Sequence, residues 1–105
     1  WFMQSIRELT ENAPIALLYF FSEDCAPCLM LRKKLKDLLQ ERFPDIPFIL
    51  LEGKNYQELM QEHMIVSFPT VLLMADGREF RRYGLYSNIP SIADDIARLE
   101  KLMSN

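Results

Sequence analysis

Cys25 and Cys28 are the two cysteines of this 105-residue chain, and they lie three positions apart in "SEDCAPCLMLRKKL", residues 22–35. Three chemistries use such a pair. A structural disulfide would gain little here, because the stabilisation grows with the loop it closes and this loop is minimal. A tetrahedral zinc site asks for four ligands, and the chain adds one histidine, His63. A zinc or iron–sulfur centre would have to be shared between subunits, so no metal is expected within one chain. Thiol–disulfide exchange needs only the two sulfurs, one to attack and one to resolve.

Placement favours exchange. Ala26-Pro27-Cys28 opens a helical pattern, and proline is tolerated in the first helical turn, where its missing N–H loses no bond. Cys25 then stands at the helix N-terminus, where free N–H groups and the macrodipole stabilise a thiolate. Such placement lowers a cysteine pKa from its free value of about 8.5. Cys28, one turn further, is expected to be the more buried and to resolve the mixed disulfide.

The elements that must position this pair follow from apolar periodicity. Ile6 and Leu9 mark a short amphipathic helix within Trp1–Asn12. "IALLYFF" after Pro14 is too short and too uniformly apolar for anything but a strand covered on both faces. From Ala26 to Phe43, Leu31, Leu35, Leu38 and Leu39 keep helical spacing, and Pro44 stops the run. The cations Arg32, Lys33, Lys34 and Lys36 make a solvated face of that helix.

"PFILLE" (47–52) predicts a second buried strand, and Asn55 with Glu58 resembles a capping box for a helix reaching Met64. "TVLLMA" is a third strand, Asp76-Gly77 a hairpin turn, and "REFRRYG" an alternating fourth strand. Ser91 with Asp94 predicts the start of a last helix, in which Ile92, Ile96, Leu99 and Met103 share a face. The order α-β-α-β-α-β-β-α implies an α/β fold, one small domain over 1–105 with a mixed sheet and helices on both faces.

Composition excludes other classes. Twelve basic and fifteen acidic residues leave a net charge of −3, and no basic stripe interleaves with aromatics, so nucleic acid is not an expected partner. Ile15–Phe21, the longest apolar run, is far short of a membrane span. The chain opens on Trp1 rather than Met, so its true N-terminus is expected to lie upstream. The cytoplasm is the default compartment, and a removed leader would place it in the periplasm instead.

These residues together resemble the thioredoxin family over nearly the whole chain. Cys25-Ala26-Pro27-Cys28 is similar to the family's Cys-Gly-Pro-Cys, and Ser67-Phe68-Pro69-Thr70 resembles the loop that holds its cis-proline. Gly84 falls where the family has a glycine at the end of its last strand, beside the substrate groove. The resemblance implies a thioredoxin-like fold and a thiol–disulfide oxidoreductase. Cys25 would be the nucleophile and Cys28 the resolving thiol, with Phe68, Pro69 and Thr70 shaping a peptide groove rimmed by Pro27 and Gly84. It implies protein disulfides as substrates, a reductase or another dithiol protein as electron source, and no cofactor. Phe68 is bulkier than the family's usual residue before the proline, so its ring is expected to narrow or grease the groove. Met30 and Met74 are expected near the site.

The pattern also departs from the family. Asp24, preceded by Glu23, stands where thioredoxins carry Trp, Ala26 replaces Gly, and Tyr19 takes the place of a buried Asp. The Lys that accompanies that Asp has no counterpart in "PFILLEG", and Lys33 replaces a helix-kinking proline, which implies a straighter helix. Carboxylates beside Cys25 oppose the thiolate, so a dithiol less tuned as a general reductant is expected. The family's first strand has no counterpart, which implies a four-stranded sheet with "FILLE" at an edge or paired to residues upstream. Two other readings compete: a binding module with the dithiol as a redox switch, and a dedicated periplasmic oxidoreductase.

Overall fold

A computed structural model describes residues 6–10 and 13–104. Its elements are α1 (Ile6–Thr10), β1 (Ile15–Phe21), α2 (Ala26–Arg42), β2 (Phe48–Glu52), a 3-10 turn (Gly53–Asn55), α3 (Gln57–Glu62), β3 (Thr70–Ala75), β4 (Arg78–Tyr83) and α4 (Ile89–Met103). The order matches the sequence reading. No helix of the described residues is long and apolar enough to cross a membrane.

The strands form one sheet in the order β2-β1-β3-β4, with β1 parallel to β2 and antiparallel to β3, and β3 antiparallel to β4. Side chains alternate across a strand, and β1 shows why its run is apolar throughout. Ile15, Leu17 and Tyr19 enter one core with Leu31, Leu35 and Leu39 of α2 and Ile92, Ile96 and Leu99 of α4. Ala16, Leu18 and Phe20 enter the other, with Ile6 of α1 and Leu59 of α3. Fully burying each such leucine or isoleucine contributes about 1.5–3 kcal/mol.

Four local expectations are corrected. β2 is an edge strand, and of its residues only Leu51 is buried, so it is not covered on both faces. β4 does not alternate strictly. Leu73 pairs with Arg81 and Met74 with Glu79, so Phe80 is the extra residue of a bulge. α3 ends at Glu62, short of Met64, whose φ of 55° lies in the left-handed region. Its N-cap is Tyr56, with no side-chain cap, while Asn55 donates from Nδ2 to Glu52 Oε1 at 3.5 Å. Neither does Ser91 cap α4: Asn88 does, its Oδ1 accepting from the Ser91 N–H at 3.1 Å.

The hairpin turn is as its residues require. Asp76 and Gly77 both adopt positive φ, 51° and 78°, as a two-residue turn between twisted strands needs. The part of the predicted first helix outside Ile6–Thr10 lies outside the described residues.

Candidate active site

Three loops meet at one end of the sheet. Phe20, near the end of β1, pairs with Thr70 at the start of β3, and Val71 pairs with Tyr83 at the end of β4. The chain leaving β1 towards Cys25, the loop entering β3 through Pro69, and Gly84 after β4 are thereby brought together.

Cys25 occupies the N-cap position of α2 in extended conformation, with Ala26 and Pro27 as the first two helical residues. It is half-buried, whereas Cys28 is 2% exposed. The two sulfurs are bonded as a disulfide, with Cα atoms 5.3 Å apart. Cys28 N–H donates to the Cys25 carbonyl at 3.2 Å and Cys25 N–H to the Ser22 carbonyl at 3.1 Å, which holds the turn. One sulfur therefore borders solvent at a helix mouth, and the other is screened behind it.

The Phe68–Pro69 peptide is cis. Thr70 is buried, and its hydroxyl donates to the Ser67 carbonyl at 2.7 Å, closing that loop. Arg82 anchors the loop upstream, donating to the His63 carbonyl at 2.6 Å and the Met64 carbonyl at 3.1 Å while pairing with Glu79 at 2.8 Å. His63 thus serves the fold through its backbone. The Phe68 ring is not free to line a substrate path alone. It lies on Gly53, so closely that a Cβ there would sit 2.2 Å from the ring Cζ. Gly84 is exposed, with nothing within 4 Å of where a Cβ would stand. No neighbour among the described residues requires a glycine there.

Tyr19 is wholly buried on β1, and its hydroxyl donates to the Cys28 carbonyl. Burial pushes this phenol up to about 12, against a weaker opposing effect of Arg32. Arg32 itself lies over the Phe21 ring, 5.9 Å from its centroid. Lys33 interrupts nothing, since α2 runs as one helix of 17 residues.

Beside Cys25 is a pocket of about 440 Å³ whose lining includes Glu23, Asp24, Glu52, Lys54, Gly53 and Phe68. Lys54 stands 3.9 Å from Glu23 and 3.8 Å from Glu52. Partial burial and then the Glu23 carboxylate raise Glu52 above the ordinary carboxylate range, with Lys54 opposing. Glu23 and Asp24 are exposed, so water screens their effect on Cys25. On the other side, Pro27 and Met30 of α2 face Leu85, Ile89 and Pro90 across a groove of about 770 Å³. Met74 is corrected: it pairs with Ala16 at the far end of β3, buried in the opposite layer.

Sequence reasoning missed the contacts of Phe68 with Gly53 and of Tyr19 with Cys28. The glycine after "FILLE" and the tyrosine inside a strand were visible, but no local pattern pairs them with those partners. Residues 2–98 match the family model described as Thioredoxin.

The chain belongs to the thioredoxin family. It is 31% identical over 74 residues to the thioredoxin of Mycobacterium bovis, covering 70% of this chain and 63% of that protein. The match thus spans less than two thirds of that relative's length. Among solved structures, a mutant thioredoxin from Halobacterium salinarum NRC-1 superposes with TM-score 0.79 at 21% identity, covering 90% of this chain and 81% of that one. Fasciola hepatica thioredoxin gives TM-score 0.74 at 23% identity, covering 90% and 93%. The four-stranded mixed sheet with helices on both faces is accordingly a thioredoxin-like fold.

Proposed function

We propose that the protein is a thiol–disulfide oxidoreductase acting on disulfides of other proteins. One observation carries the reading: a half-exposed Cys25 at the mouth of α2 with its partner Cys28 screened directly behind. In the reduced protein the Cys25 thiolate, stabilised by the helix terminus, attacks one sulfur of the substrate disulfide. The substrate's other sulfur leaves and takes up a proton. Cys28 then loses its proton and attacks Cys25 Sγ, which releases the second substrate thiol and forms the Cys25–Cys28 bond. Two electrons and two protons pass to the substrate, and no cofactor takes part. A flavoenzyme reductase or another dithiol protein returns the electrons.

Phe68, Pro69 and Thr70 present the loop backbone to an extended substrate peptide, an edge-strand mode of recognition, with Pro27 and Gly84 at the rim. Glu23 and Asp24 add negative potential on one side of the nucleophile.

Insulin reduction with dithiothreitol as electron source tests the reading. Wild type is expected to turn over, Cys25→Ser to be inactive, and Cys28→Ser to accumulate a mixed disulfide visible by mass spectrometry. Redox-dependent capture of a partner with no turnover would replace this reading by that of a binding module whose dithiol is a switch.

A further inference from the structure

Tyr19 is buried in the middle of the sheet, yet its hydroxyl reaches the turn that carries the dithiol. It donates to the Cys28 carbonyl. In an α-helix the Cys28 carbonyl is the intrahelical acceptor for the Arg32 N–H. The hydroxyl therefore ties the sheet to the acceptor end of the rung that begins at the resolving cysteine. Its ring is held between Phe21 and Phe48, at centroid distances of 6.3 Å and 5.6 Å.

Besides the backbone bonds from Cys25 to Ser22 and from Cys28 to Cys25, the first turn of α2 has few ties. Cys25 at the N-cap offers no side-chain cap, and Pro27 has no N–H. In the oxidised protein the disulfide ties this turn covalently. In the dithiol that tie is gone. The reach of the Cys28 sulfur to Cys25 Sγ then depends on how the turn is held, since the advantage of an intramolecular step lies in its geometry.

We propose that Tyr19 is a positioning residue for thiol–disulfide exchange, its hydroxyl fastening the first turn of α2 to the sheet and keeping Cys28 within reach of Cys25. This rests on the oxidoreductase reading above. The equilibrium that reports it is Cys25-SH plus Cys28-SH plus glutathione disulfide giving the Cys25–Cys28 disulfide plus two glutathione thiols. The dithiol is oxidised by two electrons and glutathione disulfide is reduced by the same two.

The test is Tyr19→Phe, which keeps the ring and removes the hydroxyl. The equilibrium constant is expected to fall about tenfold, which equals about 30 mV towards a less reducing couple. The control is Tyr83→Phe. It removes the other tyrosine hydroxyl bordering the same core, which donates to Asp95 Oδ2 at 2.7 Å on α4. Its equilibrium constant is expected to stay within twofold of wild type. A Tyr19→Phe protein that matches wild type, or that falls no further than the control, overturns the proposal. Wild type that exchanges with no disulfide at all would defeat the functional reading instead. If Tyr19→Phe does not fold, the wild-type hydroxyl proton decides by NMR. It should exchange slowly and lie near the Arg32 amide in both redox states, and loss of that protection on reduction overturns the proposal.

Discussion

Gly53 shows how one hydrogen atom can set the shape of a site. The Phe68 ring occupies the space a larger residue would need, with Cζ at 2.2 Å and Cε1 at 2.7 Å from an added Cβ. Met60 Sδ closes the same space at 3.2 Å. Phe68 immediately precedes the cis-proline, so any push on its ring is transmitted to the loop facing Cys25. Gly53→Ala is expected to destabilise by about 1–3 kcal/mol, the usual penalty of overpacking. Insulin reduction should fall with it. Adding Phe68→Leu should recover part of the stability, and a double-mutant cycle by urea unfolding would register that coupling as clearly non-additive. Additive effects would mean that the ring and the glycine do not press on one another. Neither residue announces the other in the chain, because fifteen positions separate them and no periodicity links a strand-ending glycine to an aromatic in a later loop.

Among the elements, the helix starts carry the clearest lesson. Asn55–Glu58 and Ser91–Asp94 both match the capping pattern, and neither Asn55 nor Ser91 caps a helix. A 3-10 turn over Gly53–Asn55 consumes the first, and the second lies inside a helix already begun. Proline is the better marker here. Pro27 and Pro90 are each the second residue of their helix, where a missing N–H is harmless and the fixed φ suits the turn. Asn88→Ala is expected to lose about 1 kcal/mol through the orphaned Ser91 N–H, while Ser91→Ala and Asn55→Ala stay within about 0.5 kcal/mol of wild type. Urea midpoints of the three variants decide it. Equal losses at Asn88 and Ser91 would restore the cap to the serine.

For the molecule as a whole, strand order governs what is rigid. β1 and β3 are central and paired on both edges, while among the described residues β2 and β4 are each paired along one edge only. Amide exchange is therefore expected to be slowest in Leu17–Phe20 and Val71–Met74, near the global limit. The β2 amides turned away from β1 should exchange by local opening, as unpaired groups do. Protection of β2 equal to that of β1 would require a partner on its outer edge. The disulfide sits where the rigid centre ends: β1 and β3 hold their termini in place, and the loops beyond them carry Cys25 and Pro69.

The succession of helices and strands, the apolar faces, the hairpin turn and the cysteine pair at a helix mouth were all legible in the sequence. Each depends on residues within a few positions of one another, where spacing and backbone preference suffice. Only the tertiary structure decided that Phe68 rests on Gly53 and that the Tyr19 hydroxyl meets the Cys28 carbonyl. These are contacts between distant parts of the chain. They depend on the order in which strands lie side by side, and hydrophobic periodicity says which face of an element is covered without saying what covers it.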